Sequence, residues 1–172
     1  LLGNSVTVRT GGISPDGVAA SQFVISCAGW LPDARWQEID RWCQREKVPW
    51  HMCYAEGRKF YIGPCALPGA TASYADTRAR RLAACGLADE LLAFWSYLDA
   101  GTDLPPVPWP GAGGIAIIAG LLATDVLAHL AGQTLPSEGF QVAFDPATAS
   151  IQYHPVLLLP EIDSGSGDES DS

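Results

Sequence analysis

The sequence predicts an α/β fold, a parallel half followed by an antiparallel hairpin, with helices interleaved. Three observations predict it. Gln22–Ala28 is a continuous apolar run of strand length, the pattern of a parallel strand buried on both faces. A helical stripe follows directly, which is the β-then-α order of a crossover unit. Phe140–Phe144 and Ile151–His154 then flank the turn sequence Asp145-Pro146-Ala147-Thr148, the pattern of an antiparallel hairpin.

Composition bounds the rest. The chain has 172 residues, 48% apolar and 17% charged, enough for one globular domain with a real core. The net charge is −9, but five acids and no base fall in the last twelve residues; without them 14 acids face 10 bases. That balance argues against a basic nucleic-acid surface. Five cysteines (Cys27, Cys43, Cys53, Cys65 and Cys85) show no C-x2-C or C-x4-C spacing. Neither a disulfide framework nor a zinc knuckle is expected from them, and a reducing cytoplasm is the expected location. Leu1-Leu2-Gly3 lacks the basic region and long apolar run of a signal peptide.

Taken in order, Val6 and Val8 alternate with polar neighbours and predict a short strand, and Gly11-Gly12 and Pro15-Asp16-Gly17 predict turns. The start without Met, with no strand–GxGxxG–helix unit before this point, reads as a domain lacking its N-terminal part. After the strand at 22–28, Asp33 is placed to cap a helix. Trp36, Ile39, Trp42 and Cys43 make that helix's apolar stripe, opposite Glu38, Arg41 and Arg45, and Lys47 sits where the helix dipole favours a cation. Val48–Tyr54 is a strand, Glu56-Gly57 a tight turn, and Arg58–Ile62 the return strand. A Gly63–Thr71 loop leads to helices at about Ser73–Cys85 and Ala88–Ala100. The prolines at 105, 106, 108 and 110 make 104–110 an extended loop. Ile115–Leu130, interrupted by Asp125 and His129, falls short of the about 20 residues of a membrane span and is predicted to be a buried helix. The domain is placed at 1–160. The acidic, low-complexity 161–172 is expected to be a disordered tail.

Several residues invite chemistry. Gly111-Ala112-Gly113-Gly114 has the composition of a phosphate loop, but a proline run feeds it instead of a strand. Asp125 and His129 share a helix face and could pair, although an internal hydrogen bond is the simpler reading. His51 and His154 are lone strand histidines, and His51 with Cys53 supplies too few ligands for a metal. Cys65 lies in the Gly-Pro/Pro-Gly loop, where exposure would make it a weak nucleophile candidate with no evident base. Arg78, Arg80 and Arg81, with Arg35, Arg41 and Arg45, could bind carboxylates of a partner or simply form solvated helix faces. Six tryptophans are many for this length; some must be core, and a surplus on the surface would suggest an interface.

Gly63-Pro64, Leu67-Pro68-Gly69, Thr71–Asp76 and Arg80-Arg81-Leu82 together resemble the E1-like (ThiF-related) proteins of thiazole/oxazole-modified peptide biosynthesis. Ser26–Asp33, Ile115–Gly132, Phe144-Asp145 and Tyr153–Leu157 resemble further stretches of that family in the same order. The resemblance covers about residues 20–160. It implies a partial, Rossmann-related ThiF/E1-like domain that acts as a scaffold. Such proteins bind the leader of a ribosomally made precursor peptide and present it to a YcaO-type enzyme, which uses ATP to cyclise Cys, Ser or Thr side chains onto the backbone. Pairing of two copies through their E1-like cores is also implied. In this family two Cys-x-x-Cys pairs hold zinc. Here Ser73 and Asp76 occupy the first pair, and Leu158-Leu159-Pro160-Glu161 stands at the second. The N-terminal winged helix and the glycine-rich nucleotide loop have no counterpart in the sequence. No metal, cofactor or catalytic residue is therefore expected, and no membrane or nucleic-acid partner. Gly63, Pro64, Pro68, Gly69, Arg80 and Arg81 remain as family signature and partner-contact candidates. The competing expectations are a ThiF-class ATP-dependent adenylating enzyme and an unrelated interaction module.

Overall fold

The computed structural model describes residues 6–101, 104 and 110–159. Ten elements follow in the order α1 (Pro15–Ala19), β1 (Val24–Ala28), α2 (Asp33–Glu46), β2 (Trp50–Glu56), β3 (Lys59–Ile62), α3 (Tyr74–Ala84), α4 (Ala88–Ala100), α5 (Ala112–Leu130), β4 (Phe140–Asp145) and β5 (Ser150–Pro155). The strands form one sheet in sequence order. β1 and β2 are parallel and joined by α2, and every later pair is antiparallel. The parallel crossover followed by an antiparallel hairpin is thus the architecture of the chain.

Side-chain alternation along the strands separates two cores. On one face Trp50, Met52 and Tyr54 of β2 meet Trp36, Ile39 and Cys43 of α2, Tyr74 of α3, and Trp95 and Leu98 of α4. Trp36 stands edge-on to Trp50, Tyr54 and Tyr74 at 5.5–5.9 Å between ring centroids, the geometry that aromatic quadrupoles favour. On the opposite face Cys53, Ala55, Phe60, Ile62, Val142 and Phe144 pack beneath Leu122 of α5.

Four expectations are corrected. Val6 and Val8 form no strand and are exposed, since they have no neighbouring strand to pair with among the described residues. Pro15–Gly17 opens α1 instead of a plain turn: Ser14 Oγ accepts from the Gly17 N–H at 3.1 Å and proline occupies the first turn, where its missing N–H costs nothing. Pro32, not Asp33, precedes α2, and the Asp33 carboxylate is drawn instead to Tyr74 and Arg78. Finally, α5 is not a buried helix. Only Leu122 and Asp125 are fully buried, while Ile115, Ile117, Leu127 and Leu130 are 38–60% exposed. A single helix laid on one sheet face covers only its inward side, and no described residue covers the other. By length and composition α5 is also the one described helix that could cross a membrane. The proline run and the acidic tail fall largely or wholly outside the described residues.

Candidate functional site

The Gly-Pro/Pro-Gly crossover is built from the inside. Gly63 has φ +77° and precedes a cis peptide bond to Pro64. A β-carbon there would lie 3.1 Å from the Cys65 nitrogen and 3.2 Å from both His51 Cε1 and the Phe140 oxygen, so close approach as well as backbone conformation demands glycine. Ala66 exchanges two backbone hydrogen bonds with Trp50, and Thr71 Oγ1 closes the loop by donating to the Cys65 carbonyl at 2.7 Å and accepting from the Leu67 N–H at 2.8 Å. Gly63, Pro64, Cys65 and Ala66 are buried, Pro68 is half-buried and Gly69 is exposed. Two expectations change here. Gly63 and Pro64 are too deeply buried to contact a partner. Cys65 is not exposed, and burial, then Asp125 and Glu138, push its thiol up in pKa, away from nucleophilic character.

Ser73 and Asp76 form a reciprocal capping box at the start of α3. Ser73 Oγ accepts from the Asp76 N–H at 3.0 Å, and the Asp76 carboxylate accepts from the Ser73 N–H at 2.8 Å. A second carboxylate, Asp40 of α2, accepts from the Tyr74 and Ala75 N–H groups at 3.1 and 3.2 Å and from the Trp50 indole at 3.1 Å. The orphan amides of this helix are thereby satisfied by side chains. These residues do not fit zinc. Ser73 and Asp76 spend their oxygens on backbone and on each other, and no group of three or more His, Cys, Asp or Glu side chains gathers as for a metal among the described residues. Asp40 was missed by sequence reasoning, yet its position carried a signal. Asp33 and Asp40 fall in register with the buried stripe of α2, where an acid has to find an internal partner.

The arginines of α3 are neither a free anion-binding row nor a solvated face. Arg78 Nε bridges both Asp33 oxygens at 2.9 and 3.0 Å, and Tyr74 Oη donates to the same carboxylate at 2.6 Å. Arg81 donates to Tyr54 Oη at 2.7 Å and forks onto Glu56 at 2.8 and 3.0 Å. Both guanidinium groups lie over the Trp95 ring. Arg80 grips the chain's own far end, the carbonyls of Leu157 and Leu158, at 2.6 and 2.9 Å. Of the tryptophans, Trp36, Trp50 and Trp95 are core, while Trp30 is 36% exposed.

On the α5 face, His51, Asp125 and Ser137 form a fully buried polar chain. The Met52 N–H donates to His51 Nδ1 at 3.1 Å, which leaves the proton on Nε2 to be donated to Asp125 at 2.9 Å. Asp125 also accepts from the Ser137 N–H at 3.1 Å and from the Ser137 hydroxyl. Burial pushes the Asp125 carboxyl up, but the bonds from His51 and Ser137 together hold it below the usual carboxylate range. This is not a nucleophile relay, because the Ser137 hydroxyl donates to the acid instead of to the imidazole. Asp125 does not pair with His129, whose ring lies 5.4 Å from Phe23. His154 is exposed on β5. Gly111–Gly114 opens α5, and the last described element before it is α4, not a strand.

No family model matches the chain, and no curated protein matches its sequence. Solved structures do. E. coli MccB with AMPCPP and MccA aligns over 90% of this chain and 43% of its own, with a TM-score of 0.62 at 13% identity. Over that aligned part the chain shares the fold of MccB. PaaA aligns over 83% of this chain and 44% of its own (TM-score 0.55, 15% identity), and a heterocyclase in complex with substrate and cofactor over 79% and 19% (TM-score 0.55, 16% identity). The chain therefore spans less than half the length of each of these structures.

Proposed function

We propose that this chain is an accessory scaffold in the maturation of a ribosomally made peptide, engaging the precursor leader, a YcaO-type cyclodehydratase, or both, during azoline formation. The observation that carries the reading is the E1-like fold shared with MccB bound to MccA and with a substrate-bound heterocyclase. The arrangement of the signature residues supports it. Gly63–Thr71 and the α3 arginines are committed to internal bonds, which suits a framework more than a reaction centre. Gly69, the half-buried Pro68 and the outward face of α5 are among the surfaces open to a partner. Pairing of two copies and a cytoplasmic setting belong to the same proposal.

The test is co-purification with, and calorimetric titration by, a YcaO-type protein and a precursor peptide encoded beside this chain. Saturable binding to either supports the scaffold, and binding to neither overturns it. A second reading, ATP-dependent adenylation, is favoured by the AMPCPP complex of MccB. Saturable ATP·Mg²⁺ binding with pyrophosphate exchange would establish that reading over the first.

A further inference from the structure

Cys27 and Cys53 face each other in register across the parallel pair β1–β2. In a parallel ladder, register partners point to the same face, so both thiols lie on the α5 side of the sheet. They differ in surroundings. Cys53 is buried beneath Leu122, whereas Cys27 is exposed; Cys85 is half-buried and the other two cysteines are buried. As register partners on adjacent strands, the two thiols are neighbours across the ladder.

We propose that Cys27 and Cys53 are a peroxide-oxidisable thiol pair that closes reversibly to a cross-strand disulfide. Cys27 thiolate attacks one oxygen of hydrogen peroxide, the O–O bond breaks, and hydroxide leaves to become water, giving a sulfenic acid. The Cys53 sulfur then attacks the Cys27 sulfur as its own proton is lost. The S–O bond breaks and a second water leaves, so that two thiols and one peroxide give one disulfide and two waters.

The asymmetry of the pair fits these roles. The Cys53 S–H stabilises a thiolate at Cys27 and pulls that pKa below the ordinary thiol value, while the same contact and then burial push Cys53 up. Exposure decides the assignment: Cys27 is open to peroxide and is the attacking group, and the buried Cys53 is the resolving one. Cys43, pushed up to about 12 by burial and then by Asp40, and the buried Cys65 take no part. Neighbouring strands lie about 4.8 Å apart, within the Cα range of a disulfide, but parallel register partners keep their β-carbons nearly as far apart, beyond the mean near 3.8 Å. The bond is therefore strained, which places it among reducible, labile disulfides and not among structural staples.

The experiment treats the full chain with hydrogen peroxide under native conditions, then measures free thiols, intact mass and linked peptides. The expected result is a fall from five free thiols to three, with loss of two hydrogens. A single Cys27–Cys53 linked peptide in monomeric protein, restored by dithiothreitol, completes it. Cys53→Ser is expected to leave a dimedone-trappable sulfenic acid on Cys27. Cys27→Ser, a change at an exposed site, is expected to leave all four remaining thiols free. Linkage through Cys85, disulfide-joined dimers, or sulfinic acid on wild-type Cys27 without linkage each overturns the proposal, whether or not the Cys53 variant folds.

Discussion

Asp125→Asn tests whether α5 is held by its polar chain or by apolar contact. The substitution is nearly isosteric but leaves one acceptor oxygen where there were two. Three donors converge on the carboxylate: His51 Nε2–H, the Ser137 N–H and the Ser137 hydroxyl. If the Asn oxygen faces His51, its NH₂ opposes the Ser137 amide; if flipped, it opposes the imidazole. His51 cannot escape by changing tautomer, because Nδ1 already accepts from Met52. Bonds to charged groups contribute about 1.5–3 kcal/mol each, and breaking a buried charged network costs about 3–5 kcal/mol. Asp125→Asn should therefore destabilise by about 2–4 kcal/mol and Asp125→Ala by about 3–5 kcal/mol. For an m-value of about 2 kcal/mol per M, the urea midpoint followed by far-UV circular dichroism should fall by roughly 1–2 M for Asp125→Asn. Ser137→Ala, which removes only the hydroxyl, should cost about 1 kcal/mol. The pH dependence has a definite sign. The folded-state pKa of Asp125 is depressed, so its contribution is present above the unfolded value of about 3.9 and is lost as pH falls through the folded value. A loss below about 1 kcal/mol for Asp125→Ala, or an unchanged acid transition in that variant, would refute the reasoning.

Further outcomes follow from the same geometry. Gly63→Ala forces a β-carbon against the Cys65 nitrogen, His51 and the Phe140 carbonyl at a positive φ, and should lower stability by more than about 1 kcal/mol in the same titration. Asp40→Ala strips two helix amides and the Trp50 indole of their acceptor and should cost about 2–4 kcal/mol, against about 1 kcal/mol for the cap variant Ser73→Ala. Zinc or a chelator should leave the thermal midpoint unchanged, because the α3 corner is closed by a capping box. Leu127→Lys, at a site 60% exposed, should change stability by less than about 0.5 kcal/mol yet abolish binding of the proposed partner in calorimetry.

Local pattern carried much of the fold. The Trp36/Ile39/Cys43 stripe, the Ala88–Ala100 helix and the turn at Asp145–Thr148 are each decided by residues close in sequence, and the structure places them there. What distance hides was not legible. His51 and Asp125 are 74 residues apart, and neither neighbourhood names the other. The arginines of α3 were read as surface because nothing local shows that Asp33, Tyr54 and Glu56 converge on them. α5 misled for the opposite reason: an apolar run reports what could be covered, not what covers it.

The division of the sheet into two cores bears on what light can report. Trp36, Trp50 and Trp95 all lie in the core between the sheet and α2, α3 and α4, with Trp42 packed against it. The second core, under α5, holds phenylalanines and aliphatic residues but no tryptophan among the described residues. Emission from these four tryptophans will therefore follow the first core and be nearly blind to the second. The second core also joins strands far apart in the chain, since Ile62 of β3 pairs with Val142 of β4. Closing that long loop is the slower event on entropic grounds. With Trp109 replaced by phenylalanine, a refolding trace read by emission should finish before one read by backbone ellipticity, and the lag between them times the docking of the C-terminal hairpin.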